Sequence, residues 1–254
     1  MEALRRDFLP EHLKPVVEAA GIGGTVVVQA QQTLAETKWL LAEASRHELI
    51  RGVVGWAPLA SPDVGRILEE YAEDPRLKAV RHVIQDEPDD RFILRDDFNR
   101  GIRRLKSFGL RYDILVVERQ LPETIRFVDS HPDQIFIVDH LAKPRIRDRV
   151  LDPWRRDIQE LARREHVYCK ISGMVTEADW GEWTPEDLKP YFETVLEAFG
   201  PQRLMFGSDW PVLLLAADYG TWVEVMSEMI APLSSTEQTY IMGRTAIEAY
   251  GLEP

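Results

Sequence analysis

Only one cysteine stands in this chain, Cys169, and that scarcity excludes an internal disulfide framework and a zinc site built from thiolates alone. It fits a reducing compartment. No apolar run is long enough to span a bilayer, and the opening MEALRRDFLP lacks the apolar core of a secretory leader. The expectation is a cytoplasmic protein with no membrane partner. Basic residues are a minority, 31 Lys and Arg against 43 Asp and Glu, and a formal charge of -12 repels phosphate backbones and anionic lipid heads. Nucleic acid is not an expected partner. No Ser/Gly-rich linker, low-complexity tract or block of like charge divides the chain, so residues 1–254 are expected to form one domain.

What the chain does have is the composition of a core-forming protein, 44% hydrophobic and 29% charged over 254 residues, and one repeated pattern. A short β-branched apolar run is followed by a longer amphipathic stretch, again and again, as in βαβ units with a parallel sheet. Seven such runs can be counted: Thr25-Ala30, Ile50-Leu59, Lys78-Ile84, Arg111-Val117, Gln134-Leu141, His166-Gly173 and Arg203-Asp209. The intervening helices have start signals. Thr33 with Glu36 and Ser234 with Glu237 read as capping boxes, and Ser61-Pro62 and Thr184-Pro185 place a capping side chain before a proline suited to the first helical position. A last helix, Ser234 to Tyr250, is expected to close over the wall of the sheet.

Seven parallel strands could form an open doubly wound sheet or a barrel, and periodicity does not choose between them. Polar placement favours the barrel. In a β/α barrel the reactive side chains collect at the C-terminal ends of the strands, around one shared mouth. Here almost every run ends in polar or aromatic residues: Gln29 and Gln31, Trp56, Arg81 and His82, Asp113, Asp139 and His140, Lys170 and Ser172, Ser208 and Asp209. The first run is followed by QAQQT and not by a glycine-rich phosphate loop, which argues against a dinucleotide site. The fold class expected is α/β, a TIM (β/α)8-type barrel with seven of its eight strands recognisable.

FIVDHLAKP (136–144), YCKISG (168–173) and LMFGSDWP (204–211) resemble the amidohydrolase family 2 branch. Together with VRHVIQDEPDD (80–90) and RQLP (119–122), in the same order, they resemble its sugar-lactonase group, the fuconolactone and rhamnonolactone hydrolases. That resemblance implies a barrel and water attack on the carbonyl of a small neutral lactone. The family begins with a strand ending in His-x-His, and no His-x-His occurs in this sequence. Two readings follow. Either Met1 marks a start inside the segment after that strand, leaving barrel edges that invite association, or this is a natural short form that fills the gap with a partner chain or works without the pair. Association into a homo-oligomer is expected on the first reading.

Within the resemblance, Asp209 is the candidate general base, since a carboxylate at the end of the last run can deprotonate an attacking water. A lone Asp there would more commonly cap the next segment, and the match to GSDWP reverses that preference. Alternation puts Phe136, Val138 and His140 on one face and Ile137 and Asp139 on the other, so only one of Asp139 and His140 is expected to enter the barrel. His140 is favoured, as a hydrogen-bond partner of the carbonyl and water or as a metal ligand with Asp209. Either one divalent metal, zinc or manganese, or none fits these residues. Of the adjacent Arg81 and His82, at most one lines the pocket, and each is a candidate for substrate hydroxyls. Lys170 alternates with Tyr168 and Ser172, and burying it would be costly unless it faced water, an anion or substrate, so it is a candidate for oxyanion or substrate binding. Trp210 is a candidate to stack on a sugar ring, and Lys143 is either near the mouth or a solvated cation. Cys169 reads as inert packing. The long loops 85–97 and 174–187 carry acids that suit a neutral substrate better than a phosphorylated one. The rival functions are a metal-dependent amidohydrolase or decarboxylase on the same barrel, and a catalytically silent form.

Overall fold

The computed structural model describes residues 2–253. Met1, on which the expectation of a displaced start rests, lies outside them. Among the described residues the seven apolar runs become seven strands, each trimmed to its extended centre: β1 Thr25–Val28, β2 Ile50–Gly55, β3 Leu77–Val83, β4 Arg111–Leu115, β5 Phe136–Val138, β6 Val167–Ile171 and β7 Leu204–Phe206. They form one sheet in chain order, every neighbouring pair parallel. This is the α/β, TIM-type barrel architecture, with β1 and β7 as outermost strands among the described residues.

The helices alternate with the strands. In order they are α1 Pro10–Ala19, α2 Leu34–Arg46, α3 Val64–Ala72, α4 Asp96–Leu105, α5 Leu121–Asp129, α6 Trp154–Ala162, α7 Met174–Glu177, α8 Pro185–Phe199, α9 Tyr219–Ile230, α10 Ser235–Thr239 and α11 Thr245–Tyr250. Their start signals act largely as the sequence suggests. Ser234 Oγ accepts the Glu237 amide while the Glu237 carboxylate accepts the Ser234 amide. Thr33 caps α2, but Glu36 turns away from it to accept the amides of Ala30 and Gln31, and so fastens the end of β1 to the helix. The third signal is displaced. Ser61 caps only the turn before α3, which begins at Val64.

The pleat divides the strands into two populations. Val53, Val80, Tyr112, Phe136, Val138, Cys169 and Leu204 join the large apolar core between sheet and helices. Val54, Ala79, Ile137 and Met205 point the other way, into the interior, where they form a second, much smaller cluster. Its other buried members, Ala249 and Tyr250, come from α11. A π-helical turn, Tyr240–Arg244, joins α10 to α11 and packs on β7, and the chain beyond it enters the interior. Arg111 Nε donates to the Ala249 carbonyl at 2.7 Å and Lys78 Nζ to that of Gly251 at 3.0 Å. Both cations stand at the N-terminal ends of their strands. The C-terminal helix therefore plugs the end of the barrel opposite the mouth, a larger role than the wall cover the sequence suggests.

Candidate active site

The mouth is built where β5, β6 and β7 end. β5 stops at Val138, and the next residues leave extended geometry: His140, Leu141, Ala142 and Lys143 all have positive φ, between 51° and 58°. Left-handed backbone costs a non-glycine residue roughly 1–2 kcal/mol, so four in succession persist only where the surroundings impose them. Three contacts do so. The Trp154 indole donates to the Leu141 carbonyl at 2.7 Å, the Lys143 amide closes a turn onto the His140 carbonyl at 2.7 Å, and Gly173 makes room for the imidazole. A Cβ on Gly173 would lie 2.9 Å from that of His140, and its φ of +67° already suits glycine. His140 Nδ1 then meets Ser172 Oγ at 2.8 Å, and its Nε2 faces Asp209 Oδ1 at 3.6 Å. Asp209 is itself left-handed, with φ +56°, just beyond β7. Burial holds the imidazole below its usual pKa despite the pull of Asp209 and Asp139, so it is neutral at neutral pH. At 3.6 Å the two groups are too far apart to satisfy one another, and both face the mouth.

Below the mouth lies a row of buried charge. Lys170 Nζ is 2.6 Å from Asp113 Oδ2 and 2.5 Å from Asp139 Oδ1. Asp139 also pairs with Arg81 at 2.8 Å, Arg81 reaches the Gln29 carbonyl, and Tyr250 Oη donates to Asp113 at 2.6 Å. Two cations against two anions make the row neutral, which is the condition under which such groups tolerate burial. Burial alone would lower the Lys170 pKa, yet its two carboxylates raise it, and the Lys170 and Arg81 charges hold Asp139 well below the usual carboxylate range against the effect of burial. Burial raises Asp113 to about 6, opposed by Lys170.

The structure revises several expectations. Asp139 and His140 both point inward. Asp139 does so by alternation with Ile137, and His140 because the strand has already ended and the left-handed turn swings it back over the mouth. Arg81 is the interior member of its pair, as only one could be. His82 goes to the outer face, stacked on Phe92 with centroids 4.9 Å apart, with Nδ1 accepting from Trp56 Nε1 at 3.4 Å and Nε2 against Glu87 at 2.6 Å. Both of its nitrogens are engaged, so His82 is not a free partner for a substrate hydroxyl. Lys170 does face the interior, and the anions it faces there are Asp113 and Asp139. Trp210 packs edge-on against Phe8, 5.1 Å between centroids, so part of its ring is already covered by the N-terminal segment. Burial pushes the Cys169 thiol far above its usual range, in keeping with an inert side chain.

Two residues that sequence reasoning did not single out belong here. Glu177, at the end of α7, sits 3.7 Å from Lys143, and burial and the nearby Asp209 raise its pKa while Lys143 opposes them. Tyr250 enters the interior from the far end of the chain. Glu177 lies within the loop 174–187 already flagged as an excursion near the mouth, which is the one sequence signal that pointed toward it. Nothing local marks Tyr250.

A catalytic zinc takes about three protein ligands. His140 and Asp209 offer two converging donors, and among the described residues no group of three His, Cys, Asp or Glu side chains is placed to hold a metal. The described residues do not by themselves fit such a centre.

With the geometry in view, comparison with known proteins gives a consistent picture. The amidohydrolase family model, Amidohydro_2, matches residues 2–252. A protein of Burkholderia multivorans named L-fucono-1,5-lactonase is 41% identical over 99% of this chain and 88% of its own length. One of Scheffersomyces stipitis named L-rhamnono-gamma-lactonase is 26% identical over 82% of this chain and 70% of its own. A crystal structure of a zinc-bound amidohydrolase from Burkholderia multivorans, 39% identical, superposes with a TM-score of 0.96 over 100% of this chain and 92% of that one.

Proposed function

This chain belongs to the amidohydrolase family, and we propose that it opens a small neutral lactone, the lactone of a sugar acid, by attack of water on the ring carbonyl. It is a hydrolase of ester bonds on this reading, in line with the lactonase names of its relatives. The observation that carries the mechanism is the pair His140 and Asp209, 3.6 Å apart and facing the mouth with neither satisfied by the other.

Asp209 is the base. It takes a proton from water as the water oxygen bonds to the carbonyl carbon. His140, held neutral by burial, acts in this reading as the tautomer whose Nδ1 accepts from the Ser172 hydroxyl 2.8 Å away and whose Nε2 carries the proton, from which it donates to the carbonyl oxygen as negative charge develops there. When the tetrahedral intermediate collapses, the ring C–O bond breaks and the departing alkoxide recovers the proton from Asp209. Water and lactone become one hydroxy acid, with no residue consumed. If a divalent metal binds, His140 and Asp209 are the residues here that would contact it, and no step above depends on it. A neutral substrate suits a mouth with two carboxylates, Asp209 and Glu177, which would repel a phosphorylated one.

A panel of neutral sugar lactones followed with a pH indicator tests this reading, with Asp209→Asn beside the parent. The substitution keeps the shape and removes the base, so kcat is expected to fall roughly 10²–10⁴-fold with the fold intact. A rate within about tenfold of the parent would remove Asp209 from the mechanism.

A further inference from the structure

We infer that Lys143 is a second oxyanion-stabilising residue of this site, aimed by Glu177, and that it takes the role for which Lys170 is not free. The inference rests on the lactone-opening reading above.

Three observations lead to it. Lys170 is held by two carboxylate oxygens, at 2.5 and 2.6 Å, whereas the one ion pair of Lys143 among the described contacts is with Glu177 at 3.7 Å. An ammonium has three donors, and a single long contact leaves them available to a ligand. The second is position. Lys143 ends the left-handed run that begins at His140, so one strained turn carries both imidazole and ammonium. Such strain collects where function uses it. The third is the company Lys143 keeps. It stands 3.7 Å from Glu177, as His140 stands 3.6 Å from Asp209, and its charge bears on His140 while that of Asp209 bears on Glu177. Lys143 is only partly exposed, at 23% of its side chain, so its charge there is less screened than in open water.

In the reaction, the carbonyl oxygen becomes anionic as the water oxygen bonds to carbon. Lys143 donates an N–H to that oxygen beside the one from His140 and keeps its proton throughout. Glu177 touches no reacting atom. It is a positioning residue that holds the ammonium over the mouth from the last turn of α7, and α7 packs against the segment just beyond Asp209.

The test uses the full chain and the sugar lactone turned over fastest by the parent in the indicator panel. Lys143→Met is expected to lower kcat about 10²–10³-fold, as loss of an oxyanion donor does, with KM changed far less. Lys143→Arg should restore part of the rate, which a purely structural role for the side chain would not require. Glu177→Gln should lower kcat about tenfold through misplacement of the ammonium, and it decides the matter should Lys143→Met fail to fold. A folded Lys143→Met or Glu177→Gln protein with parental kcat, while the parent opens lactones, overturns the role of Lys143 and leaves the lactone reading standing. A parent inactive on every lactone removes the reading itself, and this inference with it.

Discussion

The interior of the barrel and its mouth are both clusters of charge, and they differ in how closely their members are paired and how deeply they are buried. In the interior, Arg81, Lys170, Asp139 and Asp113 meet at 2.5 to 2.8 Å, and the two carboxylates have no exposed surface. At the mouth, His140 and Asp209, and Lys143 and Glu177, stand 3.6 and 3.7 Å apart, with Asp209, Lys143 and Glu177 each partly open to solvent. Short, buried pairing of opposite charges fixes a structure. Longer, incomplete pairing leaves donors and acceptors free for a reactant, and the strained backbone at 140–143 and 209 lies on this side of the division.

If that division is right, the two regions should fail differently. The largest effect on stability is expected from Lys170→Met, which leaves Asp113 and Asp139 buried without their shared cation. Removing one partner of a buried ion cluster costs about 3–5 kcal/mol, to be read from denaturant unfolding. A loss below about 1 kcal/mol would mean that the interior row is solvated and not structural. His140→Ala should do the reverse, lowering kcat about 10²-fold while leaving the melting temperature nearly unchanged. A variant that melts early and keeps its rate would move His140 to the structural side of the comparison.

The smallest effect concerns pH and sharpens the picture of the interior alone. Burial raises Asp113 to about 6 in the folded chain, above the ordinary 3.8 of a free aspartate. A group raised on folding contributes stability that is fully present below the unfolded pKa and is lost as pH climbs through the folded one. The unfolding free energy of the parent minus that of Asp113→Asn should therefore fall between pH 4 and 7, by no more than about 3 kcal/mol. A difference that instead grows with pH would show Asp113 to be stabilised as the anion by Lys170 and Tyr250.

Much of this molecule is legible in one dimension, because strands, caps and strand order follow from patterns that a few neighbouring residues carry. Seven apolar runs give seven parallel strands in chain order, Ser234 and Glu237 form their reciprocal cap, and GSDWP and DHLAKP mark the strand ends where the mouth lies. Side-chain direction was readable only while the strand lasted. Alternation correctly separates Arg81 from His82, and it misleads at His140, because β5 ends two residues earlier and the turn that follows is imposed by Trp154 and Gly173 from distant parts of the chain. Partnership between residues remote along the chain was not readable. Lys170 faces anions 31 and 57 positions away, Lys143 meets Glu177 on another element, and Tyr250 reaches Asp113 across 137 residues. The sequence by itself determined which residues carry charge and which strands present them. Only the closing of the sheet decided which charges cancel one another and which are left for a substrate, because that depends on distances of a few ångströms between residues remote along the chain.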